Sequence, residues 1–224
     1  MTQQTLLPGM TLPEYGDEND FYSTPPAAIE AVLPFIPRLA TAPWHVLEPA
    51  AGEGAILKVL LPAATKAWNC LAIEIHEPRL RELYAWGARD WMLNTGGCFV
   101  EHHGDFLAAQ TQAVVDRFEH PENPWLIPLN PPYSKPYEGI GLNFVERCLL
   151  RAERVPGSVV AGLLPLDFAT GVDRCKRVHD RWKGSLYPLR RRQDFGGPHG
   201  SGQRPVAWFV WDLLEPKNEY RVIG

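Results

Sequence analysis

The strongest constraint on the fold is an alternation of short apolar segments with amphipathic helical segments. Five segments have the length and apolar content of buried strands, at residues 45–47, 70–75, 98–102, 125–129 and 158–164. Helical segments lie between them, at residues 54–65, 78–87, 108–118 and 142–154. This alternation predicts an α/β fold in which a parallel sheet is sandwiched between layers of helices.

The N-terminal part of the chain is different in character. Residues 1–20 are polar and lack periodicity, so we expect a flexible arm followed by a single domain over residues 21–224. The sequence Thr24-Pro25-Pro26 is typical of a helix start, and Pro34 is expected to end that helix early.

The C-terminal part predicts a change in strand direction. Residues 171–182 predict a further helix. Residues 185–189 and 206–213 then predict an antiparallel strand pair joined by a glycine-rich connection, which makes the sheet mixed.

Composition narrows the class of protein. No segment approaches the roughly 18 apolar residues of a membrane helix, and residues 1–20 lack the features of a secretory signal. The four cysteines include no C-x-x-C pair, which favours reduced thiols in a cytoplasmic protein and no structural zinc site. The adjacent His102 and His103 point to opposite faces of a strand, so we predict no metal site there.

The first segment with chemical meaning is the turn after the first strand, V-L-E-P-A-A-G-E-G, which ends at Gly54. Its glycines can let a ligand pass close to bare backbone, and the helix that follows presents free N–H groups. The third glycine of a dinucleotide fingerprint is missing, and Glu48 at the strand end suits a cationic or polyhydroxyl ligand better than a pyrophosphate. An ordinary strand–helix turn is the alternative.

Two acidic residues follow later strands. Glu74, twenty residues beyond Gly54, can accept hydrogen bonds from both ribose hydroxyls of a nucleoside. Asp105 can accept from an adenine amino group while Phe106 packs on the ring; alternatively, Asp105 is a helix cap. Glu74 alone could equally be a surface residue at a strand end.

The most specific signal is the sequence Asn130-Pro131-Pro132-Tyr133 directly after the fourth strand. The prolines restrict the backbone, so the Asn130 side chain and the Pro131 carbonyl can converge as acceptors on one amino group. Tyr133 can stack on the ring that carries this group. Two acceptors that localise the nitrogen lone pair suit attack on a sulfonium methyl, with catalysis mainly by positioning.

These motifs together resemble the amino-methylating DNA methyltransferases. N-P-P-Y, E-P-A-A-G-E-G and F-Y-S-T-P carry the resemblance, which covers about residues 21–213. It implies the seven-stranded Rossmann-like class I methyltransferase sheet with an antiparallel hairpin at one edge, and S-adenosyl-L-methionine as cofactor. The motif order resembles the N6-adenine subgroup, and the small size resembles stand-alone adenine methyltransferases of phage or prophage type.

The resemblance also implies roles for individual residues. Those expected around the cofactor are Tyr22, Thr24, Pro25, Glu48, Pro49, Ala50, Gly52, Gly54, Glu74, Ile75, Asp105, Phe106 and Asn130. The target amino group is expected at Asn130, Pro131, Pro132 and Tyr133, and the substrate also at Lys135, Arg190, Arg191, Arg192 and Phe195. Phe195 would face a flipped base, although packing on the edge hairpin is as good an interpretation.

Charge distribution suggests where DNA would bind. The net charge is -4, yet eight basic residues against two acidic ones lie between Asp173 and Arg192. Such a segment on an acidic body is typical of a local phosphate-binding surface, with a solvated helix face as the alternative. Larger members of the N6-adenine subgroup append a recognition domain after the sheet, whereas only about ten residues of this sequence follow the last predicted strand. We therefore expect sequence discrimination from loops at 134–141 and 195–204 or from a partner.

Other functions remain open at this point. N-P-P-Y also serves methylation of protein glutamine, but that family carries a helical domain before its cofactor motif, and here 24 residues separate Thr24 from Glu48. An RNA base or cytosine N4 presents a similar amino group. A non-catalytic subunit that binds nucleic acid through this fold is the hypothesis from a different class.

Overall fold

A computed structural model of the chain describes residues 23–67, 69–86, 97–120, 122–133, 139–191 and 205–224. The strands are β1 (His45–Glu48), β2 (Asn69–Glu74), β3 (Cys98–His103), β4 (Trp125–Leu129), β5 (Val159–Pro165), β6 (Ser185–Pro188) and β7 (Val206–Asp212). They form one seven-stranded sheet in the order β3-β2-β1-β4-β5-β7-β6. Strands β1 to β5 are parallel, and β7 is antiparallel to both β5 and β6. The seven-stranded mixed α/β sheet is therefore confirmed.

The helices are α1 (Pro26–Glu30), α2 (Ala55–Ala63), α3 (Glu77–Trp86), α4 (Ala109–Phe118), α5 (Ile140–Ala152) and α6 (Val172–Arg174). Short 3-10 helices lie at Leu33–Phe35 and Leu166–Ala169. Within the described ranges, no helix is both long and apolar enough to cross a membrane.

The two faces of the sheet carry separate apolar cores. Alternate strand residues such as Val46 and Leu47 point to opposite faces, because side chains alternate along a strand. Helices α1, α2 and α3 cover the face of Val46, whereas α4 and α5 cover the face of Leu47. The result is the expected three-layer sandwich.

Two helical segments differ from expectation. The first helix ends at Glu30, before Pro34, which lies instead in the 3-10 helix Leu33–Phe35. The single helix expected over 171–182 is a short α-helix continued by a π-helix at Cys175–His179. Apolar periodicity reports the buried face of a helical segment but not its hydrogen-bond register, so it could not distinguish these forms.

The C-terminal tail forms a feature that periodicity did not indicate. Leu186 and Leu189 make isolated parallel bridges with Tyr220 and Ile223, so residues 219–223 run along the outer edge of β6. Ile223 is buried in the core. The tail thereby satisfies backbone groups that an uncovered edge strand would leave unpaired.

Candidate active site

The strand order places the candidate site between β1 and β4. The sheet extends from β1 toward β3 in one direction and from β4 toward β6 in the other, so the two strands flank a topological switch point. Ligands of open α/β sheets bind outside the carboxyl ends of strands at such a point. Pairing between β1 and β4 covers His45↔Trp125 and Val46↔Leu126, and Pro128, further along β4, has no N–H to donate.

The turn after β1 is hydrogen-bonded to the end of β2 through the Glu74 carboxylate. The backbone N–H of Gly52 donates to Glu74 Oε2 at 2.8 Å, and that of His76 donates to Oε1 at 2.9 Å. Glu74 is only 5% exposed, and Arg79 Nη1 lies 3.8 Å from its Oε1. The carboxylate therefore holds the two strand ends in one geometry, and the adjacent Ile75 leaves its apolar side chain exposed.

Glu48, at the end of β1, is a buried carboxyl group with spare hydrogen-bonding capacity. It is 1% exposed, and its Oε2 has no hydrogen-bond partner among the described residues. Burial raises the pKa of Glu48 well above its ordinary value, the Glu74 carboxylate raises it further, and a hydrogen bond from the Leu57 backbone opposes both effects. An unsatisfied buried acceptor favours a cationic or hydrogen-bond-donating ligand.

The last glycine of the β1–α2 turn serves packing as well as conformation. Gly54 has φ of +77°, and a Cβ on it would lie 2.2 Å from Leu83 Cδ1 of α3. The space at Gly54 is thus filled by α3, whereas the sequence had suggested room for a ligand. Around it, Pro49 and Gly52 are buried and Ala50 is half-buried.

Asp105 and Phe106 follow β3 at the same edge of the sheet. Asp105 is exposed, and its Oδ1 accepts from the Leu107 N–H at 2.9 Å, so it stabilises a turn and is not the N-cap of α4, which is Ala108. The Phe106 ring is 2% exposed and packs against Phe144 at a centroid distance of 5.2 Å. Both predicted contacts with adenine stay predictions.

The Asn130–Tyr133 motif leaves β4 with its polar atoms in an ordered network. Tyr133 donates its hydroxyl proton to Asn130 Oδ1 at 2.6 Å, and the carbonyl oxygen of Leu163 on β5 lies 3.2 Å from the same hydroxyl. Asn130 Nδ2 donates to Thr24 Oγ1 at 3.0 Å. Pro131 is buried, while Asn130, Pro132 and Tyr133 are half-buried.

The structure therefore brings the N-terminal motif to the N-P-P-Y motif. Thr24 is 106 residues from Asn130 in sequence and is almost fully buried beside it. Pro25 follows in an extended conformation and precedes the first turn of α1. The contribution of Leu163 was not foreseen, because a backbone carbonyl carries no sequence signal.

Part of the basic segment is engaged in ion pairs. Arg177 contacts Glu146, Arg181 lies 2.5 Å from Glu153, and Arg174 Nη1 lies 3.8 Å from Asp167. These arginines cannot act as an uncompensated positive patch. The alternative interpretation of the sequence, a solvated helix face, fits this part of the basic segment better than a phosphate-binding surface does.

Arg190 and Arg191 lie in another part of the basic segment. They are exposed and lie just beyond β6, which runs parallel to β5 because both are antiparallel to β7. They therefore lie at the same edge of the sheet as Asn130, three strand spacings, or roughly 14 Å, from β4. Four predicted site residues lie outside the described residues: Tyr22, Lys135, Arg192 and Phe195.

No protein-family model and no curated protein sequence matches this chain. Solved structures do match. A candidate class I S-adenosylmethionine-dependent methyltransferase from Listeria monocytogenes aligns with a TM-score of 0.64 at 12% identity, over 93% of this chain and 67% of that one. A candidate RNA methyltransferase from Pyrococcus horikoshii aligns with a TM-score of 0.58 at 17% identity, over 88% and 89% of the two chains.

A third similar structure is the methyltransferase subunit of a type I restriction-modification system from Streptococcus thermophilus. It aligns with a TM-score of 0.58 at 15% identity, over 88% of this chain. This chain spans 45% of that subunit's length. Together with the strand order, these similarities show that the chain has the class I S-adenosylmethionine-dependent methyltransferase fold.

Proposed function

We propose that this chain is an S-adenosylmethionine-dependent methyltransferase that modifies the exocyclic amino group of adenine, N6, in DNA. The observation that carries the proposal is the position of Asn130–Tyr133 at the carboxyl end of β4, beside the topological switch point. Its amide is held by two hydroxyl groups, those of Thr24 and Tyr133. A fixed acceptor at this place suits the positioning of an amino group.

The residues at the ends of β1 and β2 fit the cofactor. Glu48 offers an unpartnered buried oxygen for a cationic part of the ligand. Glu74 already accepts two N–H groups, but each carboxylate oxygen keeps a further lone pair for a ribose hydroxyl. Exposed Ile75 supplies apolar surface next to them. S-adenosylmethionine, the cofactor of the class I fold, supplies a methyl group activated on a positively charged sulfur.

The target group would be held by Asn130 and the backbone of Pro131. In the structure the Tyr133 hydroxyl donates to Asn130 Oδ1. When an amino group donates to this oxygen, the hydroxyl can donate to the Leu163 carbonyl instead, so no buried donor is left unpaired. The amino nitrogen would then direct its localised lone pair at the methyl group, the N–C bond forming as the S–C bond breaks, with S-adenosylhomocysteine as the leaving group and one proton lost to water.

DNA is favoured as the substrate by charge and by similarity. Arg190 and Arg191 are exposed at the edge of the sheet that carries the target site, where they can contact phosphates. A similar structure is a methyltransferase subunit of a restriction-modification system. We expect the protein to act in the cytoplasm, where DNA and cofactor are both accessible.

RNA is the second candidate substrate, since the similar Pyrococcus horikoshii structure is described as an RNA methyltransferase and matches this chain nearly end to end. Cytosine N4, protein glutamine and a non-catalytic role remain alternatives that an experiment separates.

The test is transfer of labelled methyl groups from S-adenosylmethionine to duplex DNA, single-stranded DNA, RNA and a protein extract in parallel. We expect label in DNA. Label confined to RNA or protein would support methyl transfer by this protein but would reject DNA as its substrate. Absence of label everywhere, despite measurable cofactor binding, would favour the non-catalytic alternative. The matched control is Asn123→Ala, since the Asn123 amide contacts His45 at the opposite edge of the sheet and its loss should leave transfer unchanged.

A further inference from the structure

Thr24 has a contact that the family resemblance does not account for. The resemblance places this residue among those around the cofactor. In the structure its side chain is 3% exposed, and its Oγ1 accepts a hydrogen bond from Asn130 Nδ2 at 3.0 Å. The hydroxyl is thus bonded to the residue expected to receive the target amino group.

The position of Thr24 is fixed by the elements that follow it. Pro25 and Pro26 lead directly into α1, whose Ala28 and Ile29 are buried. The Trp208 indole of β7 donates to the Ala28 carbonyl at 2.8 Å, and this hydrogen bond is buried. Because α1 is anchored to the sheet only four residues after Thr24, the hydroxyl has little freedom to move.

The contact matters because the two ends of an asparagine amide differ chemically. Oδ1 can only accept hydrogen bonds, whereas Nδ2 can only donate them. In the observed orientation Oδ1 meets the Tyr133 hydroxyl and Nδ2 meets Thr24. Because a hydroxyl group can donate as well as accept, the contact with Thr24 restrains the place of the Asn130 side chain at the end of β4.

We propose that Thr24 is a positioning residue that holds the Asn130 side chain in place through this hydrogen bond, so that the amide stays within reach of the target amino group. The proposal rests on the proposed function for its effect on turnover, but the contact itself can be tested without any methyl transfer.

The kinetic test compares Thr24→Val, which keeps the size and loses the hydroxyl, with Thr24→Ser, which keeps the hydroxyl. We expect kcat of Thr24→Val to fall about tenfold, near the upper limit for one hydrogen bond, with the Kd for S-adenosylmethionine within about twofold of wild type. Thr24→Ser should recover most of kcat. The matched control is Thr41→Val, since Thr41 is exposed and its hydroxyl donates to the Arg38 carbonyl at 3.3 Å, away from Asn130 in sequence and at the surface.

Two outcomes would overturn the assignment. If the cofactor Kd of Thr24→Val weakens as much as kcat falls, the residue serves the cofactor as the family resemblance implies. If kcat does not change, the hydroxyl does not position Asn130 for turnover. Wild-type protein that transfers no methyl group would instead contradict the proposed function, and the Thr24–Asn130 contact would then be tested by the following measurement alone.

That measurement is nuclear magnetic resonance of the wild-type full-length chain with labelled asparagine side chains. We expect a nuclear Overhauser contact from the Asn130 side-chain NH₂ protons to the Thr24 side chain. We also expect an upfield shift of one of these protons in Thr24→Val but not in Thr24→Ser. Absence of the contact in the wild-type protein would reject the proposal even if Thr24→Val failed to fold.

Discussion

Two buried carboxyl groups, Glu48 and Glu74, lie next to each other at the proposed cofactor site, but their environments differ. Glu74 accepts backbone N–H groups from Gly52 and His76. Glu48 leaves Oε2 without a partner. Glu74 thus holds the backbone of the site in place. Glu48 instead has an unsatisfied oxygen, so the free-energy cost of burying it depends on whether a ligand binds there.

Replacing Glu48 by glutamine should raise the stability of the folded protein and weaken its binding of the cofactor. Because its pKa is raised in the folded protein, its protonated form is favoured by folding, and stability is lost as pH rises from the ordinary glutamate pKa through the raised value. Glu48→Gln removes this loss, so the melting temperature of the variant relative to wild type should increase between pH 5 and pH 8. Each kcal/mol corresponds to roughly 2–4 °C for a chain of this size.

The same variant should bind S-adenosylmethionine more weakly, since a neutral amide replaces the carboxyl group. Thermal unfolding across pH and calorimetric titration with the cofactor measure the two effects. A melting-temperature difference that does not vary with pH would show that Glu48 does not titrate in this range.

The proposed function gives Tyr133 two roles, a hydrogen bond through its hydroxyl and stacking through its ring, and substitution can separate them. Tyr133→Phe keeps the ring and removes the hydroxyl, so we expect a loss of about 0.5–1.5 kcal/mol in kcat/KM, the net value of one hydrogen bond. Tyr133→Ala also removes the stacking surface, worth a further 1–3 kcal/mol or so for a base. Steady-state kinetics with a DNA substrate measures both. Equal losses in the two variants would mean that the ring contributes nothing to target binding.

At the scale of elements, the sequence predicted the order of strands and helices well because burial imposes local patterns. The fully buried β4 and the half-polar α5 could be recognised from their own residues. The contact between Gly54 and Leu83 could not be, since it depends on how two helices approach each other. The Thr24–Asn130 hydrogen bond was missed for the same reason: it joins residues of separate elements.

Because α3 packs closely against Gly54, we predict that Gly54→Ala lowers the free energy of unfolding by more than backbone strain alone would. Both Gly54 and Gly139 have positive φ, but a Cβ at Gly139 has nothing within 4 Å, whereas one at Gly54 lies 2.2 Å from Leu83 Cδ1. We expect Gly139→Ala to cost about 1–2 kcal/mol from strain alone. Gly54→Ala should cost roughly 2–5 kcal/mol, since overpacking is added.

Chemical denaturation of the two variants measures this difference. Equal free energies of unfolding would show that Leu83 moves aside without cost. In that case Gly54 would be required only for its conformation, and the space beside it could serve a ligand after all.

At the scale of the whole molecule, the C-terminal tail closes the sheet. Residues 219–223 pair with β6, and the Tyr187 hydroxyl donates to Glu219 Oε2 at 2.9 Å. The Arg221 guanidinium lies over the Phe35 ring at 5.2 Å. The segment is only five residues long and gives no clear strand pattern of its own, so only the tertiary structure reveals that it pairs with β6.

The packing of the tail predicts that substitutions at two neighbouring residues have very different effects on the free energy of unfolding. Ile223 is buried, whereas Val222 is 43% exposed. We expect Ile223→Ala to destabilise the protein by about 2–5 kcal/mol, as for other buried isoleucines, and Val222→Ala by less than about 0.5 kcal/mol. Denaturation midpoints measure the effect, and similar values for the two variants would show that the tail does not contribute to the core.

The central claim is that the Asn130 site transfers a methyl group to an adenine amino group in DNA. The most direct measurement is nucleoside analysis of DNA after incubation with S-adenosylmethionine and either the wild-type protein or Asn130→Ala. The account predicts N6-methyladenine with the wild type, and its near-complete loss with Asn130→Ala while the cofactor Kd stays within about twofold. N4-methylcytosine in place of N6-methyladenine, or a variant that loses cofactor affinity and turnover together, would contradict it.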